Sequence, residues 1–278
     1  LFFCLFVHGV ANASLLIAPT RVSLDERTRS TTVNLVNTSS KTATYRVHWV
    51  EQKQLPNGNY QELSKEEADK FPTASSMLRF SPRQVTLAPG ERQTVRIIVR
   101  RRSGLKPGDY RSHMVFQKLP DPDELKDQPS DGSQIRVKVN LGFSIPVIVR
   151  KGKFDGHVKI NKVDMLQLNN NGQKAYGLAM HVTRGGPYSV YGVMKAYWKD
   201  SNSAKYKQVA MLNNVAIYPE LDSRIIYLGL SEFKQKKSGY LKLIYSGSED
   251  LKAYQLDTYE ARINAGDYKV ITPEKLGK

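Results

Sequence analysis

Ile135-Arg136-Val137-Lys138-Val139-Asn140-Leu141-Gly142-Phe143-Ser144-Ile145-Pro146-Val147-Ile148-Val149 puts an apolar side chain at every second position. Successive side chains of a strand point to opposite faces, so a period of two reads as a β-strand with one continuous apolar face. Fully extended, the run reaches about 50 Å at ~3.3 Å per residue. An ordinary strand spans about 17–20 Å. Two readings fit this periodicity. The run is a last core strand with its row facing inward, or it offers its row and backbone to an incoming chain from a sheet edge. The length of the row favours the second, as does the segment before it. Residues 120–133 are acidic, rich in Pro, Asp and Gly, and aperiodic. They read as a long loop that leaves the start of the strand free. An uncovered row of this kind is an aggregation hazard unless something packs on it.

Outward from this stretch the chain reads as β almost throughout. Thr32-Val33-Asn34-Leu35-Val36-Asn37, Thr44-Tyr45-Arg46-Val47-His48-Trp49-Val50 and Val95-Arg96-Ile97-Ile98-Val99 alternate apolar with polar residues. Turn residues separate such runs at Pro56-Asn57-Gly58-Asn59, Ala88-Pro89-Gly90-Glu91, Lys106-Pro107-Gly108-Asp109 and Asn170-Asn171-Gly172. Many short strands punctuated in this way predict an all-β chain of two β-sandwiches. Residues 14–150 form the first domain in this reading and 151–278 the second. The second takes its strands from 158–163, 176–183, 188–198, 225–230, 240–245 and 254–263. Only residues 64–71 look helical, with Ser64 as N-cap and Glu67 three positions on.

The front of the chain reads as an export signal. An apolar run, Leu1 to Val10, precedes Ala11-Asn12-Ala13, a small-x-small cleavage site, so residues 1–13 read as the remnant of a cleaved signal peptide. The run is shorter than the about 20 residues a membrane span needs, and no membrane insertion is expected. Cys4 is the only cysteine, so a chain starting near Ser14 folds without disulfides. Export without disulfides points to a bacterial periplasm.

A formal charge of +16 admits nucleic acid, anionic surfaces or acidic proteins as partners. The basic residues are spread through strand-like segments without the interleaved aromatics of a single-strand binder, and nucleic acid is not expected. Enzymatic motifs are missing too. His48, His113, His157 and His181 stand on separate segments without metal-ligand spacing. The sequence has neither a phosphate-binding glycine loop nor Gly-x-Ser-x-Gly. No catalytic residue, metal or cofactor is assigned.

Five pieces in order carry a resemblance. They are Ile17-Ala18-Pro19-Thr20-Arg21-Val22, Thr32 to Asn37, Leu87-Ala88-Pro89-Gly90-Glu91 before the strand from Thr94, Asp109-Tyr110-Arg111 before another strand, and the alternating row. Together they resemble the PapD-like periplasmic chaperones of pilus and fimbrial assembly, over the first domain, which implies that the two sandwiches are immunoglobulin-like and set at an angle. The resemblance implies donor-strand complementation, in which the chaperone lends a strand to a pilin subunit that lacks its last one. Ile135, Val137, Val139, Leu141, Phe143, Ile145 and Val147 would form the subunit-binding strand. The pilin is then passed to an outer-membrane usher, and the free chaperone can self-associate to cover its edge. The family also holds the subunit's terminal carboxylate with a basic pair, and Arg21 matches its first member. Pro146 occupies the position of the second, a lysine in the best-known branch, and so resembles the archaic or alternative branches. Arg150 and Lys151 lie nearby in sequence. The competing reading is a secreted two-domain adhesin or carbohydrate-binding protein, which would bury the row internally.

Overall fold

In the computed structural model, residues 14–120, 142–170 and 173–271 are described. They divide into two compact units. The expected signal segment, the loop at 121–133 and the first members of the row, Ile135, Val137, Val139 and Leu141, lie outside the described residues.

The first unit contains residues 14–51, 64–105 and 110–150. Its alternating segments become β1 (Leu15–Ala18), β2 (Val22–Leu24), β3 (Ser30–Asn37) and β4 (Ala43–Val50). After β5 (Gln52–Gln54), β6 (Tyr60–Glu62) and α1 (Lys65–Ala68), the unit resumes with β7 (Leu78–Ser81), β8 (Gln84–Leu87) and β9 (Arg92–Val99). β10 (Gly108–Lys118) and β11 (Gly142–Lys151) complete it. One sheet has the order β1-β3-β9-β7 and the other β2-β11-β10-β4-β8. In β9 the period of two is explicit, with Val95, Ile97 and Val99 buried while Arg96 and Ile98 face out. The core between the sheets holds Leu24, Leu35, Tyr45, Leu78, Met114 and Phe116, all almost fully buried.

Local signals act where the sequence put them. Ser64 and Glu67 form the reciprocal capping box, with Glu67 N–H donating to Ser64 Oγ at 3.2 Å and Ser64 N–H to Glu67 Oε2 at 2.9 Å. The turn between β8 and β9 places Gly90 at φ +74°, a conformation in which a side chain would clash with the backbone.

The second unit comprises the chain from Lys151, together with Gln52–Leu63 and Lys106–Asp109. Its strands are β12 (His157–Asn170), β13 (Gln173–Gly185), β14 (Val190–Lys199), β15 (Lys207–Ile217), β16 (Ser223–Gly229), β17 (Gly239–Gly247), β18 (Gln255–Ile263) and β19 (Lys269–Ile271). They form two four-stranded sheets, β16-β13-β12-β19 and β15-β14-β17-β18. Leu178, Met180, Trp198, Ile217, Leu243 and Tyr245 pack between them. The sequence assigned residues 52–63 and 106–109 to the first domain, and the structure groups them with the second. Gln54 supplies the reason for the β5–β6 hairpin. Its buried amide donates to the Ala216 carbonyl at 3.1 Å and accepts from Tyr218 N–H at 3.3 Å, while its backbone N–H donates to Glu220 Oε1 at 2.8 Å. A polar side chain buried with its hydrogen bonds made holds the hairpin in that unit.

Candidate functional site

The site is built on β11. Strand alternation carries Ile145, Val147 and Val149 into the core of the first unit, where Ile145 is 3% exposed and the two valines not at all. Phe143, one step earlier, is half-buried against the same core. Ile145 and Val147 are therefore committed to their own fold, as a core strand requires, and cannot also fill a partner's groove in this arrangement. The part of the row free for that role ends near Phe143.

Backbone pairing changes at the same place. β11 runs between β2 and β10. Its parallel pairing with β2 covers only Val147↔Val22, Ile148↔Ser23 and Val149↔Leu24. Among the described residues no strand pairs with Gly142–Pro146 on the β2 side. Pro146 stands one residue before the ladder with β2 begins. A proline, having no N–H, is tolerated in a strand where no ladder bond is demanded of it.

Arg21 directly precedes β2 and is 3% exposed. On β10, Met114 and Phe116 point into the core, which sends Arg111 and His113 to the opposite face of the sheet. On β11 the same face takes Ile148 and Arg150, since their neighbours Val147 and Val149 point inward. Arg111, His113, Ile148 and Arg150 are all buried. β10 and β11 thus each place a buried arginine, Arg111 and Arg150, on one face of this sheet, and buried Arg21 enters the neighbouring strand β2. Sequence reading had picked out Arg21 alone. Arg111 and His113 carried a detectable signal, a polar pair at alternate positions of a strand otherwise apolar on its inner face, which only burial makes meaningful.

Burial, and then the charge of Arg111, lower the His113 pKa to about 3 from 6.5. The imidazole is neutral at physiological pH and adds no charge to this face. A testable consequence follows from linkage. Between about pH 6.5 and about pH 3 the unfolded chain binds a proton on His113 that the folded chain refuses, so stability falls as pH falls through that window, by about 1.4 kcal/mol per pH unit. In a Trp198→Phe background, urea unfolding followed by Trp49 fluorescence at pH 7 and pH 4 should show that loss. His113→Leu should lose less over the same range. An equal loss in both proteins would show that other groups govern the acid sensitivity.

Elsewhere in this unit an open groove of about 480 Å³ is lined by Val47, Trp49, Leu78, Phe80, Arg79 and Arg83, among others. Trp49 and Phe80 meet edge to face there, with ring centroids 5.4 Å apart. Among the described residues no three His, Cys, Asp or Glu side chains are grouped to hold a metal ion.

Several known structures align with this chain at low identity. The CupB2 chaperone of Pseudomonas aeruginosa aligns over 90% of this chain and 100% of its own, with 11% identity and a TM-score of 0.45. The SafB chaperone in complex with SafA pilin of Salmonella enterica aligns over 90% and 96%, with 9% identity and a TM-score of 0.43. The CsuC–CsuE chaperone–tip adhesion subunit pre-assembly complex of archaic chaperone-usher Csu pili, from Acinetobacter baumannii, aligns over 93% and 100%, with 15% identity and a TM-score of 0.41. Among curated proteins none matches. Residues 14–151 match the pili and flagellar-assembly chaperone family through its PapD N-terminal domain, and this part of the chain belongs to that family.

Proposed function

We propose that the protein is a periplasmic chaperone that binds pilin subunits by lending them the front of its long strand and then delivers them to an outer-membrane usher. The observation that carries this reading is that β11 pairs with β2 only from Val147, no described strand lying beside Gly142–Pro146 on that side, and that this stretch continues in sequence from the apolar row at 135–141. An incoming subunit lacking a strand would complete its sheet on the backbone of that row. Ile135, Val137, Val139, Leu141 and Phe143 fill its groove, each fully buried aliphatic or aromatic side chain contributing roughly 1.5–3 kcal/mol. Ile145 and Val147 anchor the strand in the lender's own core, which keeps the lent segment attached and in register. No nucleotide is required, because the exchange trades one set of strand contacts for another.

The subunit's terminal carboxylate goes to Arg21, whose planar fork of donors suits a two-oxygen acceptor. Arg150 on the same sheet face adds positive charge in place of the lysine that Pro146 excludes.

Co-expression with a pilin subunit tests the function. A one-to-one complex recovered from the periplasm is expected, and a pilin that aggregates with or without the chaperone would refute the reading. Arg21→Ala should weaken capture by about tenfold, the range of a charge-assisted hydrogen bond lost. Unchanged capture would move the carboxylate anchor elsewhere.

A further inference from the structure

The outer face of the sheet β15-β14-β17-β18, in the second unit, is unlike the other faces. Its inner residues, Met194, Ala196, Trp198, Leu241, Leu243 and Tyr245, are buried in the core, so alternation turns Lys195, Tyr197 and Lys199 of β14 and Tyr240 and Lys242 of β17 outward. Cross-strand register sets them in rows. Lys199 lies opposite Tyr240 and that residue opposite Arg262, Tyr197 lies opposite Lys242, and Lys195 opposite Ile244. Among the described strand residues of this face Glu260 is the only acid, and Lys242 already takes its carboxylate at 2.8 Å.

Two of these lysines, Lys199 and Lys242, are held in place. Lys199 Nζ sits 5.0 Å from the ring centroids of both Tyr206 and Tyr240 and donates to the Asn202 carbonyl at 3.2 Å. Lys242 Nζ lies 5.8 Å from the Tyr206 centroid, and the Tyr206 hydroxyl reaches Glu260 Oε2 at 3.5 Å. An exposed lysine normally loses rotamer freedom when it binds a partner. Here that ordering is already done, and a ligand receives the benefit.

We propose that this face binds an acidic polysaccharide, a chain that presents carboxylates or sulfates at intervals. Spacing favours a repeating polyanion over a single phosphate or headgroup. Lys195 and Lys199 stand about 13 Å apart along one strand, and Lys199 and Arg262 about 10 Å apart across two strand intervals. An acidic protein partner would need a contiguous apolar centre to its interface, whereas exposed Met211 and half-buried Ile244 are split by Lys195, which lies opposite both. Insertion into a lipid surface needs an apolar face as well. Nucleic acid bases need free ring faces to stack on, whereas lysine ammonium groups already cover those of Tyr206 and Tyr240. This inference is independent of the strand-lending mechanism and concerns a different unit.

The test is fluorescence anisotropy of a labelled polyuronate at low salt with the full-length protein. The double variant Lys195→Gln, Lys199→Gln should bind roughly tenfold more weakly with an unchanged melting temperature. Lys159→Gln with Lys174→Gln makes the same charge change on exposed positions of β12 and β13 and should bind within about twofold of wild type. Equal weakening by both pairs would reduce the effect to net charge and overturn the proposal. Binding of polyglutamate, single-stranded DNA or anionic vesicles as tight as that of the polyuronate would overturn it too.

Discussion

Leu141→Asp is expected to abolish recovery of a pilin complex while leaving the melting temperature of the chaperone unchanged. Leu141 has the same parity along the strand as Phe143, Ile145 and Val147, but it precedes the point at which that row enters the core. If the row beyond that point fills a partner's groove, aspartate there removes about 1.5–3 kcal/mol of apolar burial. It also brings an unpaired carboxylate into an apolar slot at a cost of several kcal/mol. Together these weaken binding by more than about a hundredfold. Melting separates the alternatives. A complex lost with the fold intact supports strand lending. A complex lost together with a collapse in melting temperature would make Leu141 an ordinary core residue, as the adhesin reading requires. A complex retained would refute lending outright. Val147→Asp is the reference for the core, because Val147 is fully buried, and it should destabilise the chain with or without a pilin.

The row that opened the reading of the sequence was legible as a strand but not as a strand with two duties. Alternation specifies a face and not what covers it, so Ile145 and Ile135 looked alike until burial assigned the first to the core. Turn chemistry was more direct. Pro-Asn-Gly at 56–58 joins β5 to β6, Ala-Pro-Gly at 88–90 joins β8 to β9, and Ser64 caps α1, because each acts through its own few residues. Strands without alternation were harder to see. β15 went unread, and its sequence Lys-Gln-Val-Ala-Met-Leu-Asn-Asn-Val-Ala-Ile explains why. It is an edge strand with two register shifts against β14 and is fully buried only over Val215, Ala216 and Ile217. The grouping of residues 52–63 with the second unit was equally hidden, since it depends on Gln54 meeting carbonyl and amide groups more than 160 residues away.

Arg184→Met should destabilise the second unit by about 3–5 kcal/mol, the range for removing one side of a buried charged network. In a chain of net charge +16 a lone arginine reads as a solvated charge, yet Arg184 is 8% exposed. Its Nε donates to the Leu221 carbonyl at 3.0 Å and Nη2 to Pro219 at 2.9 Å. Nη1 reaches Gly185 and Tyr188 at 3.2 Å each, and Gly186 as well. One planar group thus ties together carbonyls from two turns, 185–188 and 219–221, the bonds to Leu221 and Tyr188 being buried. Burial lowers its pKa from the usual arginine value, and the charges of Asp222, Glu220 and Asp109 oppose that shift. Methionine keeps much of the volume and removes every donor, so the cost is the orphaned carbonyls and not a cavity. Lysine, with a single donor head, should recover only part of the loss. The chain has two tryptophans, Trp49 in the first unit and Trp198 in the core of the second. In a Trp49→Phe background, urea unfolding therefore reports on the second unit alone. A midpoint shift equivalent to less than about 1 kcal/mol would mean that water replaces the guanidinium and that the two turns hold their own shape.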